Sequence, residues 1–179
     1  MADKLLRGKA WVGGKDIYAF DIIEQQHWTA PLVPEENSKY VMAAVDPAFK
    51  EENAFKNMGF TFICAGSNFG GGGKSIEHPI TGLMGAGIKA VIADSFSRLQ
   101  FRNAINRGLP FVTCKGINQV VSTGDELEVN LETGSIKNLT NGKEINGAPI
   151  AEFVMNIAEN GGLISFVKQK IESGTAASL

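Results

Sequence analysis

Three short apolar runs decide the fold: Phe60-Thr-Phe-Ile-Cys-Ala65, Ile88-Lys-Ala-Val-Ile-Ala93 and Leu109-Pro-Phe-Val-Thr-Cys114. None alternates cleanly between polar and apolar residues, which is the pattern of a strand buried on both faces. Between the first two lie a glycine-rich loop and a segment, Pro79 to Ala86, that reads as a short helix broken by Gly82 and Gly85. Between the second and third, Asp94-Ser95 makes a turn and Ser97 to Arg107 reads as a helix stopped by Gly108. Strand–helix–strand–helix–strand with short connections specifies parallel strands joined by right-handed crossovers. The fold class is therefore α/β with a parallel βαβαβ core.

Upstream of this core, Leu5 to Val12 reads as a strand ended by Gly13-Gly14, and Asp21-Ile22-Ile23 as a second short strand. Glu24 to Pro34 is polar and irregular, with His27 and Trp28 in its middle, and reads as a loop. Glu35 to Val45 has helical character. Asp46-Pro47, an N-cap followed by a first-turn proline, opens a second helix that runs to Met58 and ends at Gly59. Downstream, Glu126-Leu-Glu-Val-Asn-Leu131 alternates as a strand with one wet face. Ser135 to Leu139 returns from it, and Asn141-Gly142 is a hairpin signal. Two helices follow, Ile150 to Glu159 and Leu163 to Ile171, split by Gly161-Gly162, and the small polar residues from Glu172 to Leu179 read as a frayed tail. One domain over 1–179 accounts for the length.

Composition narrows the function classes. The net charge of −2 argues against nucleic-acid binding through bulk electrostatics. No apolar run is long enough for a membrane span, and Met1-Ala2-Asp3-Lys4 lacks the apolar core of a signal peptide, so the cytoplasm is the expected compartment. Cys64 and Cys114 stand apart in apolar runs and read as buried structural thiols. With His27 and His78 as the only histidines, the chain offers no motif for zinc or an iron–sulfur cluster. Glycine is the one excess, 21 of 179 residues, and four of them are consecutive.

Those four, Gly70 to Gly73, sit in Gly66-Ser-Asn-Phe-Gly-Gly-Gly-Gly-Lys-Ser-Ile-Glu-His-Pro79, which joins a buried strand to a helix. With so little side-chain bulk, backbone amides can approach a ligand closely, and the helix start adds partial positive charge. Lys74 contributes a full charge and Ser75 a hydroxyl. The expected ligand is an anion, phosphate or carboxylate. A phosphate loop would need glycine at 68, which is Asn68, although Gly73-Lys74-Ser75 satisfies its end and Asp94 mimics a magnesium-binding strand end. A dinucleotide fingerprint would need glycine at 75 or 76, which are Ser75 and Ile76.

The loop resembles that of the small subunits of 3-isopropylmalate dehydratase, the swivelling domain of aconitase-type enzymes. The resemblance continues through Gly87-Ile-Lys-Ala-Val-Ile-Ala-Asp-Ser-Phe-Ser-Arg98 and Phe101-Arg-Asn-Ala-Ile-Asn-Arg-Gly-Leu-Pro110. It reaches the hairpin Gly124 to Gly134, Gly161-Gly162-Leu163 and, near the start, Asp21-Ile-Ile23, so it spans nearly the whole chain. It implies a β/β/α swivelling domain, with hairpins and C-terminal helices around the parallel core. It also implies a large-subunit partner, in a heterodimer or heterotetramer, that carries a [4Fe–4S] cluster, none being bound by this chain. The implied reaction is reversible dehydration of a small hydroxy dicarboxylic acid, 3-isopropylmalate or a related substituted malate. That would place the chain in branched-chain amino acid biosynthesis.

The departures from the family are local. The family loop reads Asn-Phe-Gly-Cys-Gly-Ser-Ser-Arg-Glu-His; here Asn68-Phe69-Gly70 and Glu77-His78 bracket one extra residue. The family's first serine falls at Gly73 or Lys74, the second at Ser75, and the carboxylate-binding arginine at Ile76. Ser75 and Lys74 are therefore the expected catalytic pair, with Lys74 as cation or, if desolvated, as a neutral base. Asn68, Gly71, Gly72, Gly73 and His78 are the expected substrate-binding residues of the loop. His27 and Trp28 replace the family's Pro-Ala-Arg-Tyr-Leu segment and are the expected readers of the substrate's variable group. Arg98 and Arg102 share a helix face and are assigned to packing and subunit contact. A non-catalytic paralogue that only docks on a large subunit and a small phosphate-loop nucleotide binder remain the alternatives.

Overall fold

The computed structural model describes residues 4–29, 31–72 and 75–174. The expected strand Leu5–Val12 forms as β1, and it is the hinge of the architecture. On one edge it pairs in parallel with β2 (Phe60–Ala65), and on the other antiparallel with β5 (Glu126–Asn130). Between β1 and β2 the chain makes only single turns: α1 (Ala19–Ile22), a 3-10 turn at Gln25–His27, α2 (Pro34–Asn37), another at Pro47–Phe49, and α3 (Ala54–Asn57).

Two expectations fail in this stretch. Asp21-Ile-Ile23 is not a strand: the Tyr18 amide donates to the Asp21 carboxylate at 2.8 Å, and that cap turns the chain into α1. The helix expected over 35–45 shrinks to the single turn α2, and the one expected over 46–58 breaks into the 3-10 turn at Pro47–Phe49 and the single turn α3. Met42 and Asn53 take left-handed backbone, φ 66° and 61°, which no helix continues through. The Met42 amide instead reaches across to the Ile22 carbonyl at 2.7 Å.

From β2 onward the expected order holds: α4 (His78–Gly85), β3 (Ala90–Ala93), α5 (Arg98–Arg107) and β4 (Phe111–Thr113). Ser97 caps α5 by accepting the Gln100 amide, and Gly108, at φ 81°, ends it. A turn α6 (Ile117–Val120) leads to β5, β6 (Ser135–Asn138) and β7 (Glu144–Asn146), and α7 (Glu152–Glu159) and α8 (Leu163–Glu172) close the described chain. The single sheet has the order β4-β3-β2-β1-β5-β6-β7, parallel over its first four strands and antiparallel over the rest.

The unalternating runs are explained by two cores. Ile63, Ala65, Val91, Ala93 and Phe111 face one cluster with Trp11, Phe55, Ile80 and Leu83. Phe62, Cys64, Ala90, Ile92 and Val112 face the other with Ile117, Leu127, Val129 and Met155. Successive side chains leave opposite faces of a strand, so both parities must be apolar. Gly82 and Gly85, read as breakers, are contact points. A Cβ on Gly85 would stand 2.0 Å from the Pro34 carbonyl oxygen, and one on Gly82 2.8 Å from that of Asn37, so α4 lies directly against α2.

Candidate active-site loop

Hydrogen bonds from separate chain segments hold the loop after β2. Asn68 takes left-handed backbone, φ 62°, and its side-chain amide donates to Asp16 at 2.9 Å. Its own amide donates to the Ser95 hydroxyl at 2.9 Å. The Phe69 and Gly70 amides are held by the Ser95 and Ile17 carbonyls, and the Gly71 carbonyl accepts the Ala19 amide. Thus three chain segments at the C-terminal ends of β1, β2 and β3 converge on 68–71, the crevice where open α/β sheets bind ligands.

The glycines have separate reasons. A side chain on Gly71 would strike the Tyr18 ring at 2.8 Å and the Asn68 amide at 3.0 Å. At Gly70, φ 74°, it would strike the Gln100 Cβ and Cγ at 2.7 Å. Gly72, at φ 100°, is exposed, and a Cβ there would make only ordinary contacts with Tyr18 and Phe20 at 3.7 and 3.8 Å. Gly73 and Lys74, expected for substrate binding and catalysis, lie outside the described residues.

The chain re-emerges at Ser75, which is exposed, and its hydroxyl donates to Asn103 Oδ1 at 3.4 Å. The Ile76 carbonyl accepts two bonds from α5, Gln100 Nε2 and Asn103 Nδ2, each at 3.0 Å. Glu77 pairs with Arg107, whose Nε donates at 2.9 Å and whose terminal nitrogen also reaches the same carboxylate oxygen. That commits Glu77 to holding α4 on α5. Among the described residues, the amides of Gly72, Ser75, Ile76 and Glu77 have no hydrogen-bond partner. They form a row of donors leading into the first turn of α4, a suitable cradle for a carboxylate.

His27 and Trp28 diverge although they are adjacent. The Trp28 ring lies between two others: His78 at 4.9 Å with 14° between planes, and Phe20 at 5.7 Å with 18°. Its indole N–H donates to the Ile23 carbonyl at 3.3 Å. His78 in turn donates through Nε2 to the Thr29 carbonyl at 3.0 Å, which fixes the tautomer. Trp28 and His78 therefore stand at the loop, where Phe20 also comes within 3.8 Å of the position of a Gly72 Cβ. His27 turns the other way, stacking on Tyr40 at 4.1 Å over a cavity of about 470 Å³ lined by Glu24, Gln26, Pro47 and Lys50. Its neighbours Tyr40, Gln26 and Glu24 lie outside the loop. Sequence reading missed Tyr18, Phe20, Gln100 and Asn103. The i, i+3 spacing of the last two on an apolar-faced helix is the only signal that could have found them.

No group of His, Cys, Asp and Glu among the described residues could hold a metal. Burial pushes both thiols up, Cys114 to about 11 and Cys64 further, and among the described residues neither belongs to a group that could serve as a ligand set. No helix among the described residues is long and apolar enough to cross a membrane.

Residues 21–116 match the family described as aconitase C-terminal domain. The chain is 46% identical to the isopropylmalate/citramalate isomerase small subunit of Methanocaldococcus jannaschii, over 93% of this chain and 96% of that protein. It is 42% identical to a 3-isopropylmalate dehydratase small subunit of Methanopyrus kandleri, over 93% and 94%. The crystal structure of 3-isopropylmalate dehydratase from M. jannaschii superposes with a TM-score of 0.80 at 31% identity, covering 95% of this chain and 98% of that one.

Proposed function

The chain belongs to the aconitase C-terminal domain family, and from that membership we propose that it is the small subunit of a hydro-lyase acting on a hydroxy dicarboxylic acid. The observation that carries this is the end-to-end match, over more than nine-tenths of both chains, with proteins named as such small subunits. Its partner is a large subunit. The [4Fe–4S] cluster belongs to that partner, in keeping with the lack of a ligand set among the described residues of this chain. The substrate is a malate carrying an alkyl substituent, as the relatives' names suggest, and residues 1–179 work as one swivelling domain.

The loop's part in the reaction follows from its donors. Dehydration removes a proton from the carbon beside a carboxylate, and charge moves into that carboxylate as the proton leaves. Amides already aimed at the carboxylate stabilise the charge without reorganising. The N–H groups of Gly72, Ser75, Ile76 and Glu77, without a partner among the described residues, fill this role where Ile76 stands in place of the family's arginine. Ser75 presents its oxygen, because its proton is directed to the Asn103 amide. An amide oxygen accepts a hydrogen bond but no proton at ordinary pH, so Ser75 has no relay behind it. Its role is to accept and orient, and Lys74 is the base. The same observation favours one second reading, a subunit that shapes the partner's site without contributing a base.

The test mixes this chain with the cluster-loaded large subunit from the same source, anaerobically, against a panel of 3-substituted malates. Product requiring both chains is expected. Lys74→Ala should lower kcat by about 10²-fold or more, as loss of a general base does. Unchanged turnover in Lys74→Ala establishes the second reading, and no complex between the chains removes both.

A further inference from the structure

Both rims of the glycine loop rest on one buried side chain. Gln100, fully buried on α5, carries Gly70 against its Cβ and Cγ and donates from Nε2 to the Ile76 carbonyl. Asn103, one turn along and 7% exposed, donates to the same carbonyl and accepts the Ser75 hydroxyl. A buried helix face thus holds the loop's exit by three hydrogen bonds and its entry by a van der Waals contact.

The double bond to Ile76 has a directional consequence. In a trans peptide, the C=O of one residue and the N–H of the next point in opposite directions. Two amide donors draw the Ile76 carbonyl towards α5. The Glu77 N–H must then face away from α5, where it has no partner among the described residues. The side-chain amides of α5 therefore aim a backbone amide of the loop.

We propose that Gln100 and Asn103 are positioning residues for the reaction: together they clamp the Ile76 carbonyl, aiming the Glu77 amide into the carboxylate cradle, while Asn103 sets the direction of the Ser75 proton. The proposal rests on the reading of the loop as a carboxylate site. It accounts for two buried side-chain amides of one helix converging on a single carbonyl that one donor would satisfy. Neither residue touches substrate, so each acts through Ile76, Glu77 and Ser75.

The experiment uses the full chain with its large subunit. Gln100→Met keeps the volume under Gly70 and removes the donor; Asn103→Ala removes a donor and an acceptor. Each should raise KM for the diacid about tenfold, corresponding to about one lost charge-assisted hydrogen bond. Thermal melting of both variants checks the fold, because partial unfolding would lower the active fraction and kcat without moving KM. A Ser75→Ala/Asn103→Ala cycle should be non-additive, the double variant being no worse than about threefold below the poorer single one. Hydrogen exchange read over 66–80 needs no substrate and should quicken in both variants while β2 and β3 stay protected. KM within twofold of wild type, with additive effects in the cycle and unchanged exchange over 66–80, would overturn the proposal. Faster exchange confined to the loop, in an assembly that turns over no diacid, upholds the clamp and instead defeats the reading of the loop as a carboxylate site.

Discussion

Gly70 and Gly72 look alike in the sequence and differ in what holds them. Both take positive φ, but a side chain on Gly70 meets Gln100 at 2.7 Å, whereas one on Gly72 meets nothing closer than 3.7 Å. Gly72→Ala should cost about 1 kcal/mol, the left-handed penalty alone. Gly70→Ala should cost about 2–4 kcal/mol, because overpacking against a fully buried residue adds to it. Urea unfolding of the two variants orders them. The cysteines set a pH dependence at the same scale. Burial raises both thiol pKa values in the folded chain above the unfolded value of 9.0, Cys114 to about 11. The folded state then holds its thiol protons where the unfolded state has released them. Stability contributed by the neutral thiols is complete below pH 9 and falls as pH rises from 9 through 11. Denaturant midpoints measured between pH 7 and 11 should fall only in the upper half of that range, and Cys64→Ala/Cys114→Ala should flatten that fall.

At the scale of elements, α5 agrees between sequence and structure at both ends, and the candidate site depends on it. Its N-cap Ser97 accepts the amide of Gln100, the residue that carries the loop. Ser97→Ala should cost about 1 kcal/mol in stability and should also quicken hydrogen exchange over 66–80. The α2–α4 contact is the reverse case. Gly85→Ala would satisfy helix propensity yet place a methyl 2.0 Å from the Pro34 carbonyl oxygen, so a change that stabilises an isolated helix should here lower Tm. The segment 13–59 was legible only in part. Its helical propensity is real over Glu35 to Val45, but the bond from the Met42 amide to the Ile22 carbonyl and the left-handed backbone at Met42 and Asn53 are tertiary choices with no local signature.

For the molecule as a whole, β1 joins a parallel half to an antiparallel half through ladders on both of its edges. The halves cannot separate without exposing a strand that is central to the sheet. A single cooperative transition is therefore expected, with the fluorescence of Trp11 on β1 and far-ultraviolet circular dichroism coinciding along a urea series. Two displaced midpoints would divide 1–179 into two domains. The parallel half, its crossovers and the glycine loop were readable because they rest on local rules: unalternating apolar runs, a capping serine and a stopping glycine. The membership of Ser75, Asn68 and His78 in the loop region was readable from their place between a strand and a helix. By itself, the sequence determined the parallel core, the family and the position of the glycine loop, because strand burial and chain order are encoded in consecutive residues. Only the tertiary structure decided that Trp28 and His27 part company, that Tyr18 and Phe20 flank the loop, and that Gln100 and Asn103 hold its exit. Those are contacts between residues up to 53 positions apart, made where side chains from separate elements meet, and no local pattern specifies which atoms will face each other.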